Sequence, residues 1–431
     1  MLGFIKRPLY QFLRWSEKHT KTDMVHFFSA NFWLNFSRVI SIGMGMALTV
    51  AFANLLTPET FGTYKYVLAA AGLFATFSLN GLMTAVTRAA AQGKFNVIPY
   101  IVRSAALWSV PASIAAFGVS AWYFIHGNTE LGFAFLFIAV NNSLSNGLGV
   151  TKGVWFATGQ FKAGTLLGLP KIIVPFVVIL LTIIYTKNVV WILLAYFLSN
   201  ILLTIIGYWI MRWWFKIKNS KENVPETIKF GKQMSVLGFF QLASGQIDQL
   251  LLWHFVGPVG LATYALALGP LREAHNLINN FLTILFPKIA SKTVHEVHQT
   301  LPMRIRQMFF ASALLTLIYI LIVPFLFTYL FPKYLESILL SQVLALTILF
   351  QAKNIIDTYY TAHGEIWNRS KIILISQAVE FALFITLIPL FGLWGAVWAT
   401  VFSEMFAAII FLGIYIQTRR MDLKNASSKI S

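Results

Sequence analysis

Charged side chains set inside long apolar runs are the groups in this sequence with chemistry to perform. A charge at the centre of a membrane helix costs roughly 3 kcal/mol on insertion scales, so it faces a partner or water rather than lipid. In the second half of the chain these groups are Asp248, Arg272, Glu273, Lys353, Asp357, Glu380 and Glu404. In the first half they are Arg38, Lys152 and Lys171, and the only acids from Phe28 to Trp214 are Glu59 and Glu130, both at expected turns. Cations without acids inside the spans need an outside anion, an acid of the second half or water. Asp248, Glu380 and Glu404 are acids in the same apolar setting.

Each group also has a plainer reading. Lys353 and Asp357 are four apart and are expected to pair along one helix. Asp248 and Arg272 lie about 10 and 14 residues from the turn Gly257-Pro258-Val259-Gly260, so their heights differ by roughly 6 Å. That distance allows a structural staple or a functional pair. Lys152 and Arg103 can snorkel to the interface. Asn141, Asn142, Ser143, Ser145 and Asn146 crowd one span, and Asn276, Asn279 and Asn280 another. Such groups suit glycan hydroxyls in a wet cavity, with Asn142, Asn146 and Asn276 as candidate contacts. They equally suit hydrogen bonds between helices. His295, Glu296 and His298 have a spacing that can hold metal, but a solvated loop is the expected setting.

Some chemistry has no counterpart in the sequence. No GxxxxGK[ST] loop cradles a phosphate, and no HExxH spacing binds zinc. Neither a cofactor nor an enzymatic activity is expected. The chain has no cysteine.

The elements that must position these charges are membrane helices. Of 431 residues, 58% are hydrophobic and 11% charged, against about 25% charged in soluble domains. The apolar runs are long enough to cross a bilayer as helices, and they lack the short alternation of a β-barrel. The expected fold is all-α and polytopic, with about twelve spans. These run near 29–55, 62–88, 97–126, 131–156, 161–185 and 188–214, then 233–256, 259–287, 306–331, 336–362, 370–391 and 393–418.

The net charge of +18 sits mostly in alternate loops. This is the positive-inside pattern rather than a nucleic-acid surface, and it places both termini in the cytoplasm. The sequence divides into an amphipathic segment (1–24), a six-helix bundle (25–214), a cytoplasmic linker (215–232), a second bundle (233–418) and a cytoplasmic tail (419–431). No removable signal peptide is expected.

The two bundles share turns. Thr57-Pro58-Glu59-Thr60-Phe61-Gly62-Thr63-Tyr64 matches Gly257-Pro258-Val259-Gly260-Leu261-Ala262-Thr263-Tyr264. Phe156-Ala157-Thr158-Gly159-Gln160 matches Thr361-Ala362-His363-Gly364-Glu365. The buried charges do not repeat: Asp248 matches Leu48, and Arg272 matches Gly72. The turns read as scaffold and the charges as function laid upon it.

Four stretches carry a family resemblance: LLTPETFGTYKYVLAAAGL, GQIDQLLLWHFVGPVGLATYALA, LFPKIA and GLWGAVWATVFSE. With them the chain resembles the polysaccharide flippases of the multidrug/oligosaccharidyl-lipid/polysaccharide exporter superfamily, in particular the O-antigen (Wzx-type) translocases. The resemblance implies two six-helix bundles around a central cavity. It implies alternating-access movement of an undecaprenyl-diphosphate-linked oligosaccharide across the bacterial inner membrane, to the periplasmic leaflet, driven by an ion gradient or membrane potential. Asp248 matches the Ile-Asp of the family's seventh helix. Arg38, Lys171, Arg272 and Lys152 would then meet the diphosphate, where arginine can grip phosphate oxygens in pairs and lysine acts as a point charge. The asparagines would meet the glycan, and Asp248, Glu380 and Glu404 the coupling ion. Expected partners are the lipid-linked glycan, membrane lipids, and polysaccharide polymerase and chain-length proteins. A multidrug exporter of the same superfamily and a membrane polysaccharide polymerase are the alternatives. The acid-free first half argues against the exporter, and the short periplasmic loops argue against the polymerase.

Overall fold

The computed structural model describes residues 14–15, 24–79, 81–217, 224–291 and 293–427. Most of the amphipathic segment 1–24 therefore falls outside the described residues, as do 218–223 of the linker and the end of the tail. Among the described residues every regular element is helical. The chain opens with α1 (Met24–Leu55), α2 (Pro58–Thr76) and α3 (Gly81–Ala91). A hairpin of α4 (Ile98–Ile125) and α5 (Thr129–Gly149) follows, then short α6 (Val154–Ala157) and α7 (Phe161–Gly168). Next come α8 (Pro170–Tyr185), α9 (Val189–Trp214), α10 (Val224–Phe255), α11 (Pro258–Ala290) and α12 (Val294–Leu330). The remainder is α13 (Ser337–Leu344), α14 (Leu346–Phe350), α15 (Asn354–Ala362) and α16 (Ile366–Ser427).

Among the described residues seven helical stretches are long and apolar enough to cross a membrane, and two bent pairs raise the number to nine. The protein is thus an all-helical, multi-pass membrane protein. Helices α10 and α11, of 32 and 33 residues, are long enough to span but more polar. Several expected spans are interrupted. The run 62–88 bends by 63° between α2 and α3, and 131–156 bends by 41° near Gly147. The run 336–362 is broken into α13, α14, a 3-10 turn at Gln351–Lys353 and α15. Gly392, with φ 55°, breaks α16 where the sequence places a turn.

The expected loop 288–305 is corrected. Helix α12 begins at Val294, because Thr293 and Glu296 form a capping box that satisfies the first free backbone donors. His298 is consequently buried, against Tyr359 and Tyr415, and does not lie in a solvated loop.

The repeated turns have matching geometry. Pro58 and Pro258 each open a helix, and the backbone N–H of Phe61 and of Leu261 donates back to residues 57 and 257 at 3.1 and 3.2 Å. Gly159 and Gly364 both adopt positive φ, 73° and 74°, where a Cβ is disfavoured. The next residue closes each turn: Gln160 donates to Trp155 O and Glu365 to Tyr360 O. These are the paired end-caps of two helices.

Packing divides the chain into two units. The first is Met1–Ala51 with Phe74–Gly238, and the second is Phe52–Leu73 with Phe239–Ser431. Most of α2, Pro58 to Leu73, groups with the second unit. Lipid is as apolar as leucine, so close backbone approach holds such helices together. In the second unit Gly62 leaves no room for a Cβ beside the carbonyl of Pro258, which packs one repeated turn against the other. Tyr66 stacks on Trp253 at 4.4 Å, and Phe52 stacks on Phe61 and Tyr64. In the first unit Gly231 meets Leu82, Gly147 meets Ala106, and Ser235 Oγ accepts from Gly81 N at 2.9 Å. A core of Leu82, Val86, Ile98, Ile101, Trp155 and Met211 fills one end of that unit.

Candidate functional site

The second unit contains a cavity of about 230 Å³ whose lining includes Lys353, Asp357, Arg369, Glu380 and Glu404. Breaks in the helices put these charges there. The 3-10 turn Gln351–Lys353 ends the straight run of α14 and presents Lys353 at the start of α15. Its ammonium pairs with Glu404 of α16, with the two side chains only 12% and 29% exposed. Asp357 pairs with Arg369 instead: Nε donates to Oδ1 at 2.7 Å and the guanidinium terminus to Oδ2 at 3.3 Å. The local Lys353–Asp357 pair expected from sequence is therefore corrected. The 3-10 turn disturbs the i,i+4 register, and each residue takes a partner from the following long helix.

Glu380 joins this group. It lies within electrostatic reach of Lys353, Glu404 and Asp248, and near Ser244 of α10. Asp248 is buried, accepts a hydrogen bond from Gln249 N at 2.8 Å, and lies within reach of Arg272 and the Tyr264 hydroxyl. Tyr264 continues to Thr400 at 3.0 Å. His275 shares a 3.1 Å hydrogen bond with Thr347 and feels both Lys353 and Glu404. The cavity wall carries two cations and three acids, an excess of one negative charge when all are ionised. Ser376 Oγ and Gln377 Oε1, also in that wall, are buried with no hydrogen-bond partner among the described residues. Oxygen lone pairs beside an excess carboxylate can receive a proton or a small hard cation.

Asp248, Glu380 and Glu404, far apart in sequence, are thus brought together. Asp248 and Arg272 interact across the hairpin, although no direct ion pair joins them among the described residues. Sequence reading missed Lys65 of α2, which lies within electrostatic reach of Arg272 in the same unit. It had the appearance of a loop cation near the first repeated turn. The signal was available: seven residues beyond Pro58 is two helical turns, roughly 10 Å into the span. Lys353, Asp357 and Arg369 also belong to the site, through partners that sequence spacing does not reveal.

The other expected residues are placed elsewhere. Arg38 is exposed on α1 and Lys171 is half-buried with its ammonium over Gly207, both in the first unit. Asn142, also in the first unit, is buried; its amide donates to Ser109 O at 3.3 Å and its oxygen accepts from Ser78 at 3.4 Å. They link α5 to α4 and to Ser78, which follows α2. Asn276 donates to Glu273 on its own helix at 3.3 Å. The side chains of Asn146 and Lys152 lie outside the described residues.

Comparison with solved structures finds this fold elsewhere. The lipid II flippase MurJ in an inward closed conformation is similar over 90% of this chain and 87% of its own, with a TM-score of 0.67 at 12% identity. A multidrug resistance MATE family transporter of the MOP superfamily, in its inward-facing conformation, matches over 92% and 99% with a TM-score of 0.61 at 16% identity. A MOP superfamily transporter from Pyrococcus furiosus, described as having reversed polarity in its binding pocket, matches over 91% and 95% at 0.58 and 15%. Identities this low show a shared fold alone. No curated protein matches the chain. The family model described as polysaccharide biosynthesis protein matches residues 29–292, more than half of the sequence, and the chain belongs to that family.

Proposed function

We propose that this protein is a flippase for an undecaprenyl-diphosphate-linked oligosaccharide, an O-antigen unit or a similar surface-polysaccharide repeat. It moves the glycan from the cytoplasmic to the periplasmic leaflet of the bacterial inner membrane by alternating access, with both termini in the cytoplasm. Twelve spans in two bundles, 25–214 and 233–418, provide the moving parts. The observation that carries this reading is the charged cavity of the second unit, in a chain of a polysaccharide family with a transporter fold. Buried ionisable groups inside membrane spans mark ion or substrate pathways.

Two tasks divide among the charges. Lys65 and Arg272 present cations near Asp248 in the second unit and suit the diphosphate; Arg38, Lys152 and Lys171 of the first unit remain candidates for the same charge. Glu380, Glu404 and Asp248 suit a driving ion, with Lys353 holding Glu404 in place. Asn142, Asn146 and Asn276 remain glycan candidates, although the bonds of Asn142 favour a structural role. Polymerase and chain-length proteins would take the product.

The test is reconstitution of the purified protein in liposomes loaded with lipid-diphosphate oligosaccharide on one leaflet. The expected result is a change of sidedness with no change of glycan length. A change in chain length would favour the polymerase reading. The second reading is an ion-coupled multidrug exporter, favoured by the fold shared with MATE transporters. Export of cationic drugs without glycan-lipid movement would select it.

A further inference from the structure

Helix α9 has 26 residues, so its length of roughly 39 Å exceeds the 30 Å hydrocarbon core of a bilayer. Its C-terminal end must emerge among headgroups. That end borders an open cavity of about 690 Å³ lined by Trp209, Arg212, Trp213, Trp214, Lys216 and Ile217. Two of the six are cations and none is an acid. Three are tryptophans, whose amphipathic rings favour the headgroup level. Trp209 and Trp213 are 58% and 78% exposed, which leaves their faces open to lipid.

The cavity is built on rigid supports. Trp155 meets Trp214 edge-on at 5.5 Å, Phe95 stacks on Phe215 at 5.0 Å, and Ile217 is buried in the core of this unit. The Arg212 guanidinium lies over the Trp209 ring at 5.6 Å, which helps to fix its position. The helix ends in a two-bond cap: Ile217 N donates to Arg212 O at 3.1 Å and Lys216 N to Trp213 O at 3.2 Å. Lys216 occupies the left-handed position of that cap, with φ 48°. Glycine suits this position best. Here the turn carries an ammonium group instead and directs it to the cavity rim.

We propose that this cavity binds the headgroup of an anionic phospholipid. Its phosphate sits between Arg212 and Lys216, and its glycerol and upper acyl chain lie against Trp209 and Trp213. The site uses none of the second unit's charges and is separate from the transport function proposed above. It anchors the linker end of α9 to the anionic leaflet and gives the protein a lipid preference that net charge alone would not.

The test uses the full-length protein in phosphatidylcholine nanodiscs with a graded fraction of brominated phosphatidylglycerol, which quenches nearby tryptophan. Quenching should saturate at a lower mole fraction than with brominated phosphatidylcholine. Loss of either cation, in R212Q or K216G, should reduce that preference about fivefold. K216G eases the turn while removing the ammonium, so it decides the matter even where R212Q fails to fold. K187Q, at the opposite end of α9, should leave the preference unchanged. Equal quenching by the two lipids in the wild type would overturn the proposal. So would an unchanged preference in folded K216G, an equal loss in K187Q, or displacement of the lipid by millimolar inorganic phosphate.

Discussion

The two units solve the same problem with different chemistry. Both must join helices in a medium where apolar burial supplies little drive. Among the described residues the first unit uses neutral groups: Asn142 bonds Ser78 and the backbone carbonyl of Ser109, Ser113 bonds Ser143 at 2.8 Å, and Ser120 bonds Gly132 O at 2.7 Å. The second unit places ion pairs, Lys353–Glu404 and Asp357–Arg369, around a cavity and adds Glu380 as an excess acid. A hydroxyl network can hold helices at modest desolvation cost. Charges in the same surroundings cost far more, so the second unit carries them for a task beyond cohesion.

The largest effect should come from breaking the more buried ion pair. Lys353→Met leaves Glu404 without its cation and should cost about 4 kcal/mol. Thermal unfolding of the purified protein reads this loss, and adding Glu404→Gln should recover most of it. A double variant no better than the single would mean the pair is not what holds the two groups.

Close helix approach comes next. Gly62→Val forces a side chain into the backbone of Pro258 and should cost about 3 kcal/mol. The same measurement on Gly93→Val, whose Cβ would meet nothing but whose φ is positive, separates crowding from backbone strain. Equal losses at the two positions would remove the argument that the repeated turns pack tightly.

The neutral network should matter less. Asn142→Leu removes two hydrogen bonds and should destabilise by about 2 kcal/mol. Transport per folded molecule should stay at the wild-type level. A selective loss of transport at normal stability would move Asn142 back among the glycan contacts and blur the difference between the units. The smallest change is Arg369→Lys, which keeps the charge and loses the paired geometry on Asp357. With both partners about a third exposed, it should cost less than about 1 kcal/mol.

The sequence displayed much of this contrast. Insertion cost singles out any charge within an apolar run, which is why Asp248, Glu380 and Glu404 stood out before their proximity was known. The repeated turns were legible because proline and glycine act locally, and Gly159 and Gly364 adopt nearly the same φ. Pairings were less legible. Lys353 and Asp357 are four apart, but a 3-10 turn lies at Lys353 and tertiary partners win. Lys65, a lysine near a turn, reads from sequence as a loop charge, whereas helix α2 carries it inward. The start of α12 was missed for the opposite reason: its charged first turns resemble a loop, while the Thr293–Glu296 capping box begins a helix.

The central claim is that the acids of the second unit couple an ion to movement of the lipid-linked glycan. The direct measurement is the sidedness of a lipid-diphosphate oligosaccharide in proteoliposomes, with and without an imposed proton or sodium gradient. It is made on the wild type and on Glu380→Gln, whose folding is verified by unfolding temperature. The wild-type rate should respond to one of the gradients, and the Glu380→Gln protein should move the glycan at a rate indifferent to both. A folded Glu380→Gln protein with the full wild-type response to the gradient would contradict the account.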